Sequence, residues 1–115
     1  MPSNDLPALT DATITETIRS SGVPVVVDVW AEWCPPCGPM ARVLAELQPS
    51  FDGQLVIATL NADENPETAR AHRILSLPTL LVFQNGTVTR TLVGARPKSV
   101  LRQFLLEASS PYANV

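Results

Sequence analysis

Apolar positions recur along the chain with two periods, and each change of period marks an element. Ile14 and Ile18 lie four apart within a helix predicted over residues 10–21, with Gly22 just past its end. Residues 23–30 form a near-continuous β-branched run, the pattern of a strand buried on both faces of a sheet. Met40, Val43, Leu44 and Leu47 fall at i, i+3, i+4 and i+7 and predict a helix over 35–47. A second apolar strand follows at 54–60. Asn65 is then placed to cap a short helix with Pro66 at its first position, where a missing N–H costs nothing. Residues 79–83 and 87–93 read as two strands joined through Asn85-Gly86, a pair that tolerates positive φ in a hairpin. Thr89, Arg90 and Thr91 mark the second of them as the solvated edge. Pro97 opens a last helix whose Val100, Leu101, Phe104, Leu105 and Ala108 make one apolar stripe, and a short strand is expected at 6–9.

Strand–helix–strand units joined by right-handed crossovers give a parallel core, and the hairpin adds antiparallel strands. The expected fold is therefore α/β, a central mixed β-sheet flanked by helices on both faces. The chain of 115 residues fits one domain, assigned to 6–109, with 1–5 expected as a flexible N-terminus and 110–115 as a C-terminal tail. Hydrophobic residues make up 45% and charged residues 17%, which excludes a disordered or collagen-like chain. A net charge of −3 with scattered basic residues leaves no footprint for nucleic acid or anionic lipid. No apolar run approaches the roughly 18 residues of a membrane span. The polar start Met1-Pro2-Ser3-Asn4-Asp5 does not read as a signal peptide, so a cytoplasmic location is expected. Nothing in the pattern demands a dimer, and a monomer is expected.

The chemistry concentrates at the two cysteines, Cys34 and Cys37, separated by Pro35 and Pro36. A pair this close closes almost no loop, so as a disulfide it restricts the unfolded chain little and makes more sense as chemistry than as a staple. Cys34 directly follows a buried strand and starts a helix, whose unpaired N–H groups and positive dipole end favour a thiolate. Cys37 falls under the first turn, more shielded, in the position of a resolving partner. Asp28 lies on the same face of its strand as Val26 and Trp30, in an otherwise apolar run where an ionised carboxylate is costly unless paired. It is either a carboxylate hydrogen-bonded to structural partners or one with a raised pKa that accepts a proton.

Trp30-Ala31-Glu32-Trp33-Cys34-Pro35-Pro36-Cys37 resembles the active-site segment of the thioredoxin family. Val27-Asp28-Val29-Trp30 is similar to the strand before it, Leu77-Pro78-Thr79 to the family's cis-proline segment, and Asn85-Gly86 and Val93-Gly94-Ala95 to its later turns. The resemblance implies the thioredoxin fold and a protein disulfide reductase acting by dithiol–disulfide exchange. Cys34 would form a mixed disulfide with the substrate, Cys37 would resolve it, and Asp28 would take the Cys37 proton. It also implies a cis bond before Pro78 and a docking groove formed by Trp33, Pro35, Pro36, Leu77, Pro78, Gly94 and Ala95, with Trp30 as buried support. No bound cofactor is implied; electrons would come from an NADPH-dependent flavoprotein, thioredoxin reductase, and pass to disulfide-containing proteins. Two rival readings stand beside it: a disulfide oxidase or isomerase on the same fold, and a non-catalytic binding or chaperone module.

Three departures from the family pattern matter. Pro35 stands where glycine is usual and removes an N–H near the Cys34 sulfur, so Cys34 is expected to be less acidic. Thr59 stands where many relatives place a lysine facing the buried aspartate, so the Asp28 pKa is expected to sit higher. Arg42 replaces the usual helix proline while Pro39 follows Cys37 closely, which is expected to move a helix distortion towards the site. His72, the only histidine, is expected at the surface or in a capping role. Two cysteines fall short of the four ligands of a structural zinc site, so no metal is expected. Asp63, Glu64 and Glu67 read as a solvated face near a helix start, and Glu32 as an exposed charge that steers partners weakly.

Overall fold

The computed structural model describes residues 6–109, and the expected terminal segments 1–5 and 110–115 lie outside them. In chain order come β1 (Ala8–Leu9), α1 (Ile14–Ser20), β2 (Val25–Trp30), α2 (Cys37–Leu47), a 3₁₀ turn at Gln48–Phe51, β3 (Val56–Asn61), α3 (Pro66–Ala71), β4 (Thr79–Gln84), β5 (Thr87–Val93) and α4 (Lys98–Ser109). The five strands form one sheet in the order β1-β3-β2-β4-β5. β1 and β2 pair with β3 in parallel, while β4 runs antiparallel to both β2 and β5. The mixed sheet is the one expected, with β2 at its centre and β5 on an edge.

Side-chain alternation divides the sheet into two cores. Val26, Ile57, Leu80 and Val82 face α2 and α4 and pack on Met40, Leu44, Leu47, Leu101, Leu105 and Ala108. Val25, Val27, Val29, Ala58, Leu60, Leu81 and Phe83 face the other side, beneath Ile14 and Ile18 of α1 and Ile74 after α3. Because β2 is covered on both faces, every one of its residues is buried, as its apolar run requires. The α4 stripe is narrower than its pattern: Leu101, Leu105 and Ala108 are buried, Phe104 is half-buried and Val100 faces outward.

Several boundaries move for identifiable reasons. α1 begins at Ile14 rather than Thr10, because residues 10–13 form a turn in which the Thr10 carbonyl accepts the N–H groups of Thr13 and Ile14 (3.1 and 2.9 Å). It ends on Ser21 in extended geometry (φ −79°, ψ 131°), not on Gly22. β2 begins at Val25 rather than residue 23. β3 begins at Val56 rather than 54, where Gln48 accepts the Ile57 N–H at 2.7 Å and donates to the Leu55 carbonyl at 3.3 Å. The hairpin turn holds as read, with Asn85 at φ 54° and Gly86 at φ 85°.

The cap of α3 differs most. Asn65 occupies the capping position but its side chain makes no cap hydrogen bond. The Asp11 carboxylate accepts instead, from the N–H groups of Glu67 (3.1 Å) and Thr68 (2.8 Å) and from the Thr68 hydroxyl (2.6 Å). Asn65 turns outward from the helix, receiving the Asp11 N–H at 2.8 Å and donating to the Asn61 carbonyl at 3.0 Å.

Candidate active site

β2 delivers its C-terminal end to a short loop, and the loop turns into α2 through two prolines. The helix starts at Cys37, not at Pro35: Pro35 and Pro36 form a turn closed by the Cys37 N–H to the Cys34 carbonyl at 3.2 Å. Cys34 therefore precedes the helix by one turn instead of opening it. Pro39 is the third residue of α2, where an N–H has no partner inside the helix, so it removes no hydrogen bond there and the ground for the expected distortion falls away. α2 continues through Arg42 to Leu47.

Cys34 and Cys37 are joined as a disulfide with Cα atoms 5.5 Å apart. Both are buried, at 6% and 2% exposure, so the shielding of Cys37 relative to Cys34 is slight. Trp30 packs behind them and Leu77 beside them, while Pro35 and Pro36 face solvent. The Leu77–Pro78 bond is cis. The Pro78 carbonyl accepts the Gly94 N–H at 2.8 Å, which ties the Gly94-Ala95 turn to the Leu77 segment. Gly94 has φ +93°, a backbone conformation that favours glycine. The register brings these segments to one end of the sheet, because Val29 pairs with Thr79 and Thr79 with Val93.

Trp33 is 66% exposed, yet its indole N–H donates to Asp63 Oδ2 at 2.8 Å. Asp63 is exposed, as its solvated face implies, and it also holds the tryptophan. Its own N–H donates to Asn61 Oδ1 at 2.9 Å, which also accepts the Glu64 N–H at 3.1 Å. Parallel pairing carried the signal, since Trp30 lies opposite Asn61 and the chain leaves both strands at the same end.

Asp28 is fully buried on the face covered by α2, opposite Thr59 in β3 and Leu80 in β4. Among the described residues neither carboxylate oxygen has a hydrogen-bond partner. Burial pushes its pKa up to about 7. Thr59 is buried alongside but its hydroxyl reaches towards the Pro7 carbonyl at 3.5 Å, so it supplies no donor to the acid.

The remaining candidates lie outside this arrangement. His72 follows α3, is exposed, and meets Phe83 edge-on at 5.3 Å. Glu32 is exposed. Among the described residues no group of three or more His, Cys, Asp or Glu could hold a metal ion, and no helix is long and apolar enough to cross a membrane. A surface concavity of about 770 Å³ lies between α1, α3 and the β4–β5 turn, with no residue of the disulfide segment in its walls.

The thioredoxin family model matches residues 5–107. The chain belongs to the thioredoxin family. Relatives include Thioredoxin 1 of Nostoc sp., 41% identical over 97 residues that cover 84% of this chain and 91% of that protein. The thioredoxin of Streptomyces clavuligerus is 46% identical over 93 residues, covering 81% of this chain and 86% of that one. A bifunctional thioredoxin reductase/thioredoxin of Mycobacterium leprae is 43% identical over 97 residues, 84% of this chain and 21% of that longer protein. As a thioredoxin-family member with a disulfide at the family's motif, the chain is a thiol–disulfide oxidoreductase whose redox-active pair is Cys34–Cys37.

Proposed function

We propose that the chain is a protein disulfide reductase in which Cys34 attacks and Cys37 resolves. The Cys34 thiolate attacks one sulfur of a substrate disulfide, forming a Cys34–substrate disulfide and expelling the other substrate sulfur as a thiolate. Cys37, deprotonated, then attacks Cys34 and releases the second substrate thiolate. The protein loses two electrons as its dithiol becomes the Cys34–Cys37 disulfide, and the substrate gains them. Asp28 is the acceptor of the Cys37 proton, directly or through water, because it is a buried carboxyl on the sheet face beneath α2 with nothing else to bind. Trp33, Pro35, Pro36, Leu77, Gly94 and Ala95 form the surface on which the substrate chain rests, with the buried Pro78 behind it.

The observation that carries this reading is the disulfide across the entry turn of α2 with an exposed, hydrogen-bonded Trp33 beside it. The dithiol is restored by a flavoprotein reductase using NADPH, a partner supported by the fusion of reductase and thioredoxin in the Mycobacterium leprae relative. The protein acts as a cytoplasmic monomer, its catalytic domain spanning 6–109 and bearing no cofactor of its own.

The test is equilibration of the Cys34–Cys37 couple against glutathione buffers, with trapping of free thiols. A potential well below the cytosolic glutathione poise is expected, since each 30 mV corresponds to about 1.4 kcal/mol for two electrons. A potential far above it would make the protein an oxidant. Cys34→Ser is expected to abolish disulfide reduction; retained activity would mark a binding module instead.

A further inference from the structure

Three large apolar side chains are exposed at the sheet end that carries the disulfide: Trp33 at 66%, Val93 at 50% and Leu75 at 94%. Leu75 is the most exposed of them, and its position is built rather than incidental. The loop after α3 is pinned before and after it: Ile74 donates its N–H to the Ala69 carbonyl at 2.9 Å, and the Thr79 hydroxyl donates to the Ser76 carbonyl at 2.6 Å. Arg73, in the left-handed region at φ 53°, turns the chain so that Ile74 packs into the core. Its neighbour Leu75 is then left in solvent.

Beside Leu75 runs a cleft of about 420 Å³ between this loop and β5. Ile74, Leu75, Leu81, Val88 and Val93 supply its apolar walls. Among the described residues, Arg73 and His72 are its only ionisable lining groups and no carboxylate lines it. Two lining residues tie the cleft to the disulfide site along the chain. Thr79 and Val93 line the cleft, and each adjoins a residue of the proposed groove, Pro78 and Gly94 respectively. Leu77, two residues from Leu75, packs directly on the disulfide cluster.

We infer that Leu75 and this cleft form a specificity pocket for an apolar side chain of the substrate polypeptide, located roughly two residues from the cysteine under attack. The spacing follows from the two-residue step from Leu75 to Leu77, which spans at most roughly 7 Å of chain. The occupant is a leucine-like or aromatic side chain, because burying it against Leu75 and Val93 removes apolar surface from water on both partners. A lysine or arginine there meets Arg73 and finds no acid. The inference rests on the reductase reading, since it describes how a substrate docked on Cys34 continues over the surface.

The experiment uses three synthetic peptides, each with one cysteine capped as a disulfide with 2-mercaptoethanol. They carry leucine, serine or lysine two residues to either side of that cysteine and are otherwise identical. The reduced full-length protein is expected to reduce the leucine peptide about tenfold faster than the serine peptide, with the lysine peptide slowest. In Leu75→Ser the leucine-to-serine ratio is expected to fall to within about twofold, and in Leu75→Phe to persist. A ratio near one in the wild type, or a tenfold ratio that survives Leu75→Ser, overturns the inference while leaving the reductase reading intact. A merely structural defect slows all peptides alike, keeps the ratio and so also overturns it. A wild type that reduces none of the peptides removes the reductase reading itself, and this inference with it.

Discussion

The acidity of Cys34 is set by which of the next residues can donate a hydrogen bond. Pro35, Pro36 and Pro39 have no N–H, and the Cys37 N–H is engaged by the Cys34 carbonyl at 3.2 Å. Of residues 35–39 this leaves only Gly38 with an unengaged backbone donor in the turn. Restoring a donor with Pro35→Gly is therefore expected to lower the Cys34 pKa by about one unit, the scale of one hydrogen bond to a charged group. The ultraviolet absorbance of the thiolate, followed against pH in the reduced protein, measures it; an equal or higher value in the variant would refute the argument. Asp28 sets the second step in the same way. With both oxygens unpartnered and a pKa of about 7, it changes protonation where the enzyme works. Asp28→Asn keeps the shape but cannot take a proton, so resolution by Cys37 is expected to slow by roughly tenfold to a hundredfold between about pH 6 and 8. The mixed disulfide on Cys34 then accumulates, and acid quenching followed by mass measurement reveals it. An unchanged turnover rate across that range would remove Asp28 as the acceptor.

At the scale of elements, α3 is a six-residue helix started by a residue 57 positions upstream in contact with it. Burial pushes the Asp11 carboxyl up, and the Thr68 hydroxyl, the N–H groups of Thr68 and Glu67, and Arg70 outweigh it, so its pKa lies below the ordinary value of 3.8. A depressed pKa contributes stability above the unfolded value, and that contribution is lost as pH falls through the folded one. Asp11→Ala is therefore expected to lower the urea midpoint at about pH 7, with the deficit shrinking below about pH 4. A deficit independent of pH would mean the carboxylate's charge is irrelevant to the cap. This contact also shows where the sequence stopped being legible. α2 and α4 were readable because their apolar residues repeat locally at the helical period, and β2 because a strand covered on both sides is a near-continuous β-branched run. The cap by Asp11 and the hold of Asp63 on Trp33 were not, because each joins residues far apart in the chain, 30 apart for Trp33 and Asp63. Both ends meet only once parallel pairing has set the register. The Pro35-Pro36 turn was misread for a different reason. Proline is tolerated at a helix start, so an apolar helical period next to it gave no signal of which residue begins the helix.

Across the whole molecule, the sheet separates two cores, and Asp28 is the one charged side chain fully buried among the described residues. It lies on the face that α2 and α4 cover, so its charge opposes the packing of the entire layer. In the unfolded chain a carboxyl titrates near 3.8, whereas in the fold this one titrates at about 7. Between those values the folded state holds a proton that the unfolded state has released, so the stability contribution falls as pH rises. Below both values the group is neutral in either state and the penalty vanishes. Above both it is complete, and the difference corresponds to roughly 4 kcal/mol as an upper bound. Asp28→Asn removes the ionisation and retains a polar group of the same shape, so its advantage over the wild type should be near zero at about pH 4. It should then climb to a few kcal/mol at about pH 8. Urea unfolding of the oxidised proteins at both pH values measures this directly, with the m-value checking that the same surface is exposed. A constant difference, or one largest in acid, would mean that Asp28 is solvated or paired in the fold, and the proton acceptor beneath α2 would have to be sought elsewhere.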